Sequence, residues 1–96
     1  MTAQAESPFY APDVVRGLFD AVRPVYQEVH AYAGAIPTYP SGLWTFLFAS
    51  DTRRPSHIDA ARLDDLTTRY LGDDLLRGVF ALPQFVQELT GTRFQP

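Results

Sequence analysis

Between Ile36 and Gly42 the chain reads Ile-Pro-Thr-Tyr-Pro-Ser-Gly, which sets one phenol, Tyr39, between two prolines. Pro37 and Pro40 fix their own φ angles and push Ile36 and Tyr39 towards extended backbone. A tyrosine held this way has little conformational entropy left to lose, so its hydroxyl is readily aimed at a ligand. The same residues also describe a stiff hairpin loop carrying an exposed ring. The other residues able to do chemistry are poorly arranged for it. His30 and His57 lie far apart and fall in no metal-ligand pattern. Asp64-Asp65 and Asp73-Asp74 read as solvated faces and caps, and neither Ser41 nor Ser56 has the base that a nucleophilic triad needs. The glycines, at 17, 34, 42, 72, 78 and 91, stand singly and form no phosphate or nucleoside cradle.

The elements that must position Tyr39 flank it. From Leu43 to Ser50, Trp44, Phe46 and Phe48 alternate with Leu43, Thr45, Leu47 and Ala49. Both faces are largely apolar, which predicts a strand covered on both sides inside a sheet. Stacking of nucleobases on the three aromatics would need interleaved basic residues, and there are none. Gly42 supplies the backbone freedom to enter this strand. Before the loop, Glu28 to Ile36 puts Val29, Ala31, Ala33 and Ala35 on one face and His30, Tyr32, Gly34 and Ile36 on the other. The two segments predict an antiparallel hairpin joined by more than a two-residue turn.

Upstream, Thr2 to Glu6 reads as the tail of a strand ended by Ser7-Pro8. Pro12 suits a first helical position with Asp13 in the first turn. Val14, Val15, Leu18, Val22 and Val25 recur at helical spacing, and Pro24 ends or kinks that helix near Arg23. Downstream, Ser56 and Asp59 have capping-box spacing for a short helix carrying Ile58, Ala61, Leu63 and Leu66. Thr67 to Leu71 is read as a brief extended piece. Asp73 or Asp74 is expected to cap a short helix through Val79 and Phe80. Pro83 begins a last helix that buries Phe85, Val86 and Leu89 and stops at Gly91.

Composition excludes several classes. Ninety-six residues, 46% hydrophobic and 14% aromatic, predict one small domain or part of a larger one. A formal charge of −3, with all eight basic residues arginine, argues against nucleic-acid binding. No cysteine is present, so disulfides and thiolate metal sites are excluded. Neither a secretory leader nor a membrane-length apolar run is seen, and the cytoplasm is the expected compartment.

Ile36 to Gly42, followed by the aromatic strand, resembles the signature of the polyamine aminopropyltransferases, the spermidine synthase family. Gln4-Ala5-Glu6-Ser7-Pro8-Phe9 resembles the family segment closing an upstream strand, and Phe80-Ala81-Leu82-Pro83-Gln84-Phe85-Val86 resembles its C-terminal helix. The resemblance covers nearly all of this chain and about the last third of a complete member. It implies an α/β fold: the C-terminal part of a class I methyltransferase-like (Rossmann-like) doubly wound sheet, ending in an antiparallel hairpin with flanking helices. Its final strand inserts antiparallel to its parallel neighbours. Residues 1–96 are then a single partial domain.

The resemblance also implies transfer of an aminopropyl group from decarboxylated S-adenosylmethionine to putrescine or a similar polyamine. Tyr39 matches the tyrosine that holds the attacking amine, Gln4 a glutamine contacting the polyamine, and Glu6 an acidic position with a less definite role. The general-base aspartate, in an Asp-Ser-Ser-Asp-like loop, has no counterpart here. The Gly-rich loop and the ribose-binding acid are also without counterparts, so no donor site and no bound cofactor are expected. Leu71 and Leu76 replace a tyrosine and a histidine at positions read as packing and interface sites. The expectation is a C-terminal portion with part of the polyamine site, inactive alone, with an N-terminal portion as a separate chain one option among a split gene, a truncated product or a remnant; a complete member would be a homo-oligomer. The alternative is a non-catalytic remnant acting as a small interaction module through its sheet edge.

Overall fold

A computed structural model describes residues 1–92. Its strands are β1 (Thr2–Glu6), β2 (Glu28–Ala35) and β3 (Leu43–Ser50), and its helices α1 (Pro12–Val22), α2 (Ala60–Asp64), α3 (Asp73–Gly78) and α4 (Gln84–Thr90). Strand order is β1-β3-β2, and β3 is antiparallel to both neighbours. β1 and β2 therefore run parallel, joined by the α1 crossover, with the last strand inserted between them. This is the expected α/β arrangement.

The alternation read in β3 is real and divides the fold. Thr45, Leu47 and Ala49 are fully buried on one face. There they meet Ala5 and Ala31 of the adjacent strands, Val15 and Phe19 of α1, and Leu82, Val86 and Leu89 from the α4 region. The small residues of β2 let that layer approach closely. Each large side chain buried here contributes about 1.5–3 kcal/mol. The opposite face carries Trp44, Phe46 and Phe48, opposite Gly34, Tyr32 and His30 of β2. Tyr32 stacks on Phe46 at 5.2 Å, and Phe80 closes against both Tyr32 and Phe48.

Helix ends follow backbone chemistry. α1 begins at Pro12 and stops at Val22, with Arg23 as its cap and Pro24, which has no N–H to continue the helix, directly after it. α4 ends on Gly91 at φ 70°, the left-handed cap that glycine adopts without strain. A Cβ at Gly91 would meet the Arg23 guanidinium at 2.8 Å. That guanidinium donates to the Thr90 carbonyl and pairs with Asp20 at 2.9 Å, tying α1 to the end of α4.

Four expectations are corrected. Asp59 is itself the N-cap of α2, its carboxylate accepting from Arg62 N at 3.1 Å, so Ile58 and Leu66 lie outside the helix. Thr67 to Leu71 pairs with no strand, because the Thr68 hydroxyl donates to Leu71 O and closes a local bend. Gly72 caps α3, and Asp73 instead pairs with Arg77 in the first turn. Phe85 faces outward and packs on the ring of Phe9 at 5.0 Å rather than entering the core.

The two sheet edges differ. On β2, Ala33 N donates to Val79 O and Ala31 N to the Thr92 hydroxyl, so the outer edge is closed by non-strand partners. β1 pairs with β3 on one side only, and its other edge is open among the described residues. Phe9, Tyr10 and Val14 are exposed nearby in sequence. Open edges and apolar patches seek partners. The isolated chain is expected to self-associate or to bind a hydrophobic dye; light scattering and dye fluorescence check this. A dye-silent, monodisperse monomer with a cooperative melt is the contrary result.

Candidate functional site

Gln4, Trp44 and Tyr39 meet on the aromatic face of the sheet. Gln4 is paired in register with Phe46 and therefore shares its face. The Trp44 indole N–H donates to Gln4 Oε1 at 3.2 Å. An indole N–H only donates, so the atom facing it is the carboxamide oxygen, which fixes the orientation of Gln4. The Tyr39 ring packs on the indole with centroids 4.3 Å apart. One buried tryptophan thus joins the two residues expected to contact a polyamine.

The loop holding Tyr39 is two successive turns, with Tyr39 N donating to Ile36 O and Gly42 N to Tyr39 O. Pro40 and Ser41 occupy the centre of the second, and Ser41 has φ 71°. Gly42 is at φ 72°, as its place before the strand predicts. Tyr39 remains partly exposed, at 38%.

Glu6 ends β1 where the register slips between Gln4 and Glu6, a bulge of one residue. Its φ of 82° is uncommon for a side chain of this kind and costs on the order of 1–3 kcal/mol. The Thr45 hydroxyl donates to the Glu6 carbonyl at 2.7 Å and holds the bulge from the buried face. The Glu6 residue itself is exposed.

The histidines lie elsewhere. At the far end of the hairpin, Glu28 accepts from Arg54 Nε at 2.8 Å and lies 3.4 Å from His30 Nε2. The Arg54 hydrogen bond holds the Glu28 carboxyl below the usual carboxylate range, with His30 adding to the effect against partial desolvation. His57 lines a cleft of about 740 Å³ between the sheet's Tyr32, Phe46 and Phe48 and the covering segment's Leu63, Leu75 and Phe80. Leu71 and Leu76, the two departures from the family pattern, also line it. Arg53, Arg54 and Arg62 line it beside one carboxylate, Asp59, with Arg54 already paired to Glu28. Burial raises the Tyr32 hydroxyl above its ordinary pKa, with Thr2 opposing.

The spermine/spermidine synthase domain matches residues 1–59. The chain belongs to the spermine/spermidine synthase family. It is 44% identical over 87 residues to a polyamine aminopropyltransferase of Caldicellulosiruptor bescii, covering 91% of this chain and 31% of that one. The Thermoplasma acidophilum polyamine aminopropyltransferase is 39% identical over 90 residues, with 93% and 31% covered. The crystal structure of spermidine synthase from Thermotoga maritima superposes with a TM-score of 0.86 at 29% identity, over 94% of this chain and 33% of that one. A spermidine synthase in complex with the transition state analogue AdoDATO gives the same score and identity. This family member spans about a third of the length of the relatives it matches.

Sequence reasoning placed Trp44 in the core and missed its contact with Gln4. The signal was the indole itself, since a buried N–H must find an acceptor. The Glu28 geometry gives a pH test. A carboxylate with a depressed pKa adds stability that is present above its unfolded value and lost as pH falls through the folded one. Arg54→Ala is expected to move the Glu28 titration upward, towards the ordinary range, as followed by carboxyl NMR; an unmoved titration contradicts the pairing.

Proposed function

We propose that the chain is the acceptor-side portion of a polyamine aminopropyltransferase. The observation that carries this reading is the Trp44 indole holding the Gln4 carboxamide and the Tyr39 ring on one sheet face. The reaction moves an aminopropyl group from decarboxylated S-adenosylmethionine to putrescine or a related polyamine. The amine lone pair forms a bond to the carbon beside the sulfonium, the C–S bond breaks, and methylthioadenosine leaves.

An alkyl amine is mostly protonated at neutral pH, so a base must take a proton before attack. No residue of this chain is assigned that role, and the upstream two-thirds of the relatives' length is its source in this reading. What these residues do is position. Tyr39 hydrogen-bonds the reacting amine without trapping it as an ion pair. The second lone pair of Gln4 Oε1 stays open to an amine N–H. Glu6, exposed at the end of β1, is the candidate counter-charge for an ammonium. The proposed setting is the cytoplasm, and no described helix is long and apolar enough to cross a membrane.

The open edge of β1 supports a second reading, an interaction module that pairs through that edge without catalysis. Donor binding bears on a claim common to both readings. Calorimetry with decarboxylated S-adenosylmethionine is expected to give no binding to the chain alone, and tight saturable binding contradicts the absence of a donor site.

Tyr39 separates the readings once the upstream portion is supplied, in cis or in trans. Tyr39→Phe removes one hydrogen bond, worth about 0.5–1.5 kcal/mol and up to about 3 with a charged partner. At 1.36 kcal/mol per tenfold, kcat/KM for the amine is expected to fall by about two- to a hundredfold. Donor affinity should hold. Tyr39→Ala should do more harm, since it also strips the ring from Trp44. Equal kinetics for Tyr39→Phe and the parent, at matched folded fraction, leaves Tyr39 as scaffold.

A further inference from the structure

The loop carrying Tyr39 belongs to no helix or strand, and its own backbone hydrogen bonds shape it without fixing it against β1, where Gln4 sits. A link outside the loop does this. Ser41 Oγ lies 3.3 Å from Ser7 Oγ, just past the end of β1. Ser7 is buried, and its oxygen accepts from Phe9 N at 3.2 Å and Tyr10 N at 3.1 Å. Both its lone pairs are thereby used, leaving the hydroxyl proton to donate. The Ser41 proton goes to Leu43 O at 3.1 Å, leaving a lone pair to accept. The chain of donors thus has one direction: the amides of Phe9 and Tyr10 to Ser7, Ser7 to Ser41, and Ser41 to Leu43.

Ser41 makes this contact from an unfavourable backbone. Its φ of 71° falls at the turn position that glycine ordinarily fills. Glycine would relieve the strain and lose the hydroxyl, so strain and hydrogen bond can be separated by substitution.

We infer that Ser7 and Ser41 are positioning residues, a hydroxyl latch that holds the Tyr39 loop against the end of β1 and so keeps the Tyr39 ring on Trp44. The latch acts on geometry through Tyr39 and touches no substrate. Only its kinetic consequence rests on the acceptor role proposed for Tyr39.

Trp44 is the only tryptophan and reports the contact directly. In the 96-residue chain, Ser41→Gly and Ser41→Ala are both expected to raise acrylamide quenching of Trp44. A neutral hydrogen bond shifts the docked population by about two- to tenfold. Thermal stability separates the variants: Ser41→Ala keeps the strained backbone and melts lower, whereas Ser41→Gly melts at or above the parent. Adding Ser7→Ala to Ser41→Gly should raise quenching by less than the two single changes summed, because the bond between the hydroxyls is already lost and only the Phe9 and Tyr10 amides lose their acceptor. Parent-like quenching in Ser41→Gly overturns the latch, as does increased quenching confined to Ser41→Ala, which would trace the effect to strain. With the upstream portion supplied, Ser41→Gly should raise KM for the amine by about two- to tenfold and alter kcat less. Raised quenching with unchanged KM keeps the latch and removes Tyr39 from the acceptor site.

Discussion

β3 is hydrogen-bonded on both edges, and everything else is arranged around it. A strand in that position cannot meet water along its backbone, and its side chains must alternate between two covered faces. Thr45, Leu47 and Ala49 satisfy one face by packing beneath α1 and α4. Trp44, Phe46 and Phe48 satisfy the other by layering with Tyr32, Phe80 and Tyr39. The strand separates two jobs: the aliphatic side supplies cohesion, and the aromatic side presents polar atoms from an apolar support. The Gln4, Trp44 and Tyr39 cluster sits at the loop end of that second side, next to the turn through which the strand is entered.

The elements legible in the sequence were those governed by local rules. Alternation gave β2 and β3, Pro12 and Pro24 bracketed α1, and Gly91 stopped α4. The rules failed where two local choices were nearly equivalent, where a local hydrogen bond let a polar residue be buried, or where a tertiary partner decided the outcome. Asp59 took the cap that Ser56 was expected to fill, since either polar residue can serve a nearby amide. Phe85 has the hydrophobicity of a core residue, yet the ring of Phe9 draws it to the surface side of α4. Thr90 is the reverse case: a polar residue fully buried because its hydroxyl donates to Val86 O one turn earlier.

The candidate site divides the same way. Tyr39 was visible because proline chemistry is local, and Gln4 because it sits in a segment resembling the family's. Their meeting was not visible, since it depends on the β1–β3 register and on an indole forty residues from the glutamine. The positive φ angles of Glu6 and Ser41 were equally hidden, because neither residue type announces such a backbone. Each is held by a hydroxyl from another part of the chain: Thr45 for Glu6 and Ser7 for Ser41. Strain near the site is thus offset from the buried side of the fold.

The closed outer edge of β2 gives the sheet a polarity. Val79 O and the Thr92 hydroxyl occupy donors that a further strand would need, whereas β1 offers its row freely. Growth by strand addition therefore proceeds from one side only. Two copies meeting at β1 would use the open edge of each and leave closed edges outermost. Among the described residues such a pair leaves no open strand edge outermost, so sheet extension by this route is expected to stop at two copies and not to run on into a fibre.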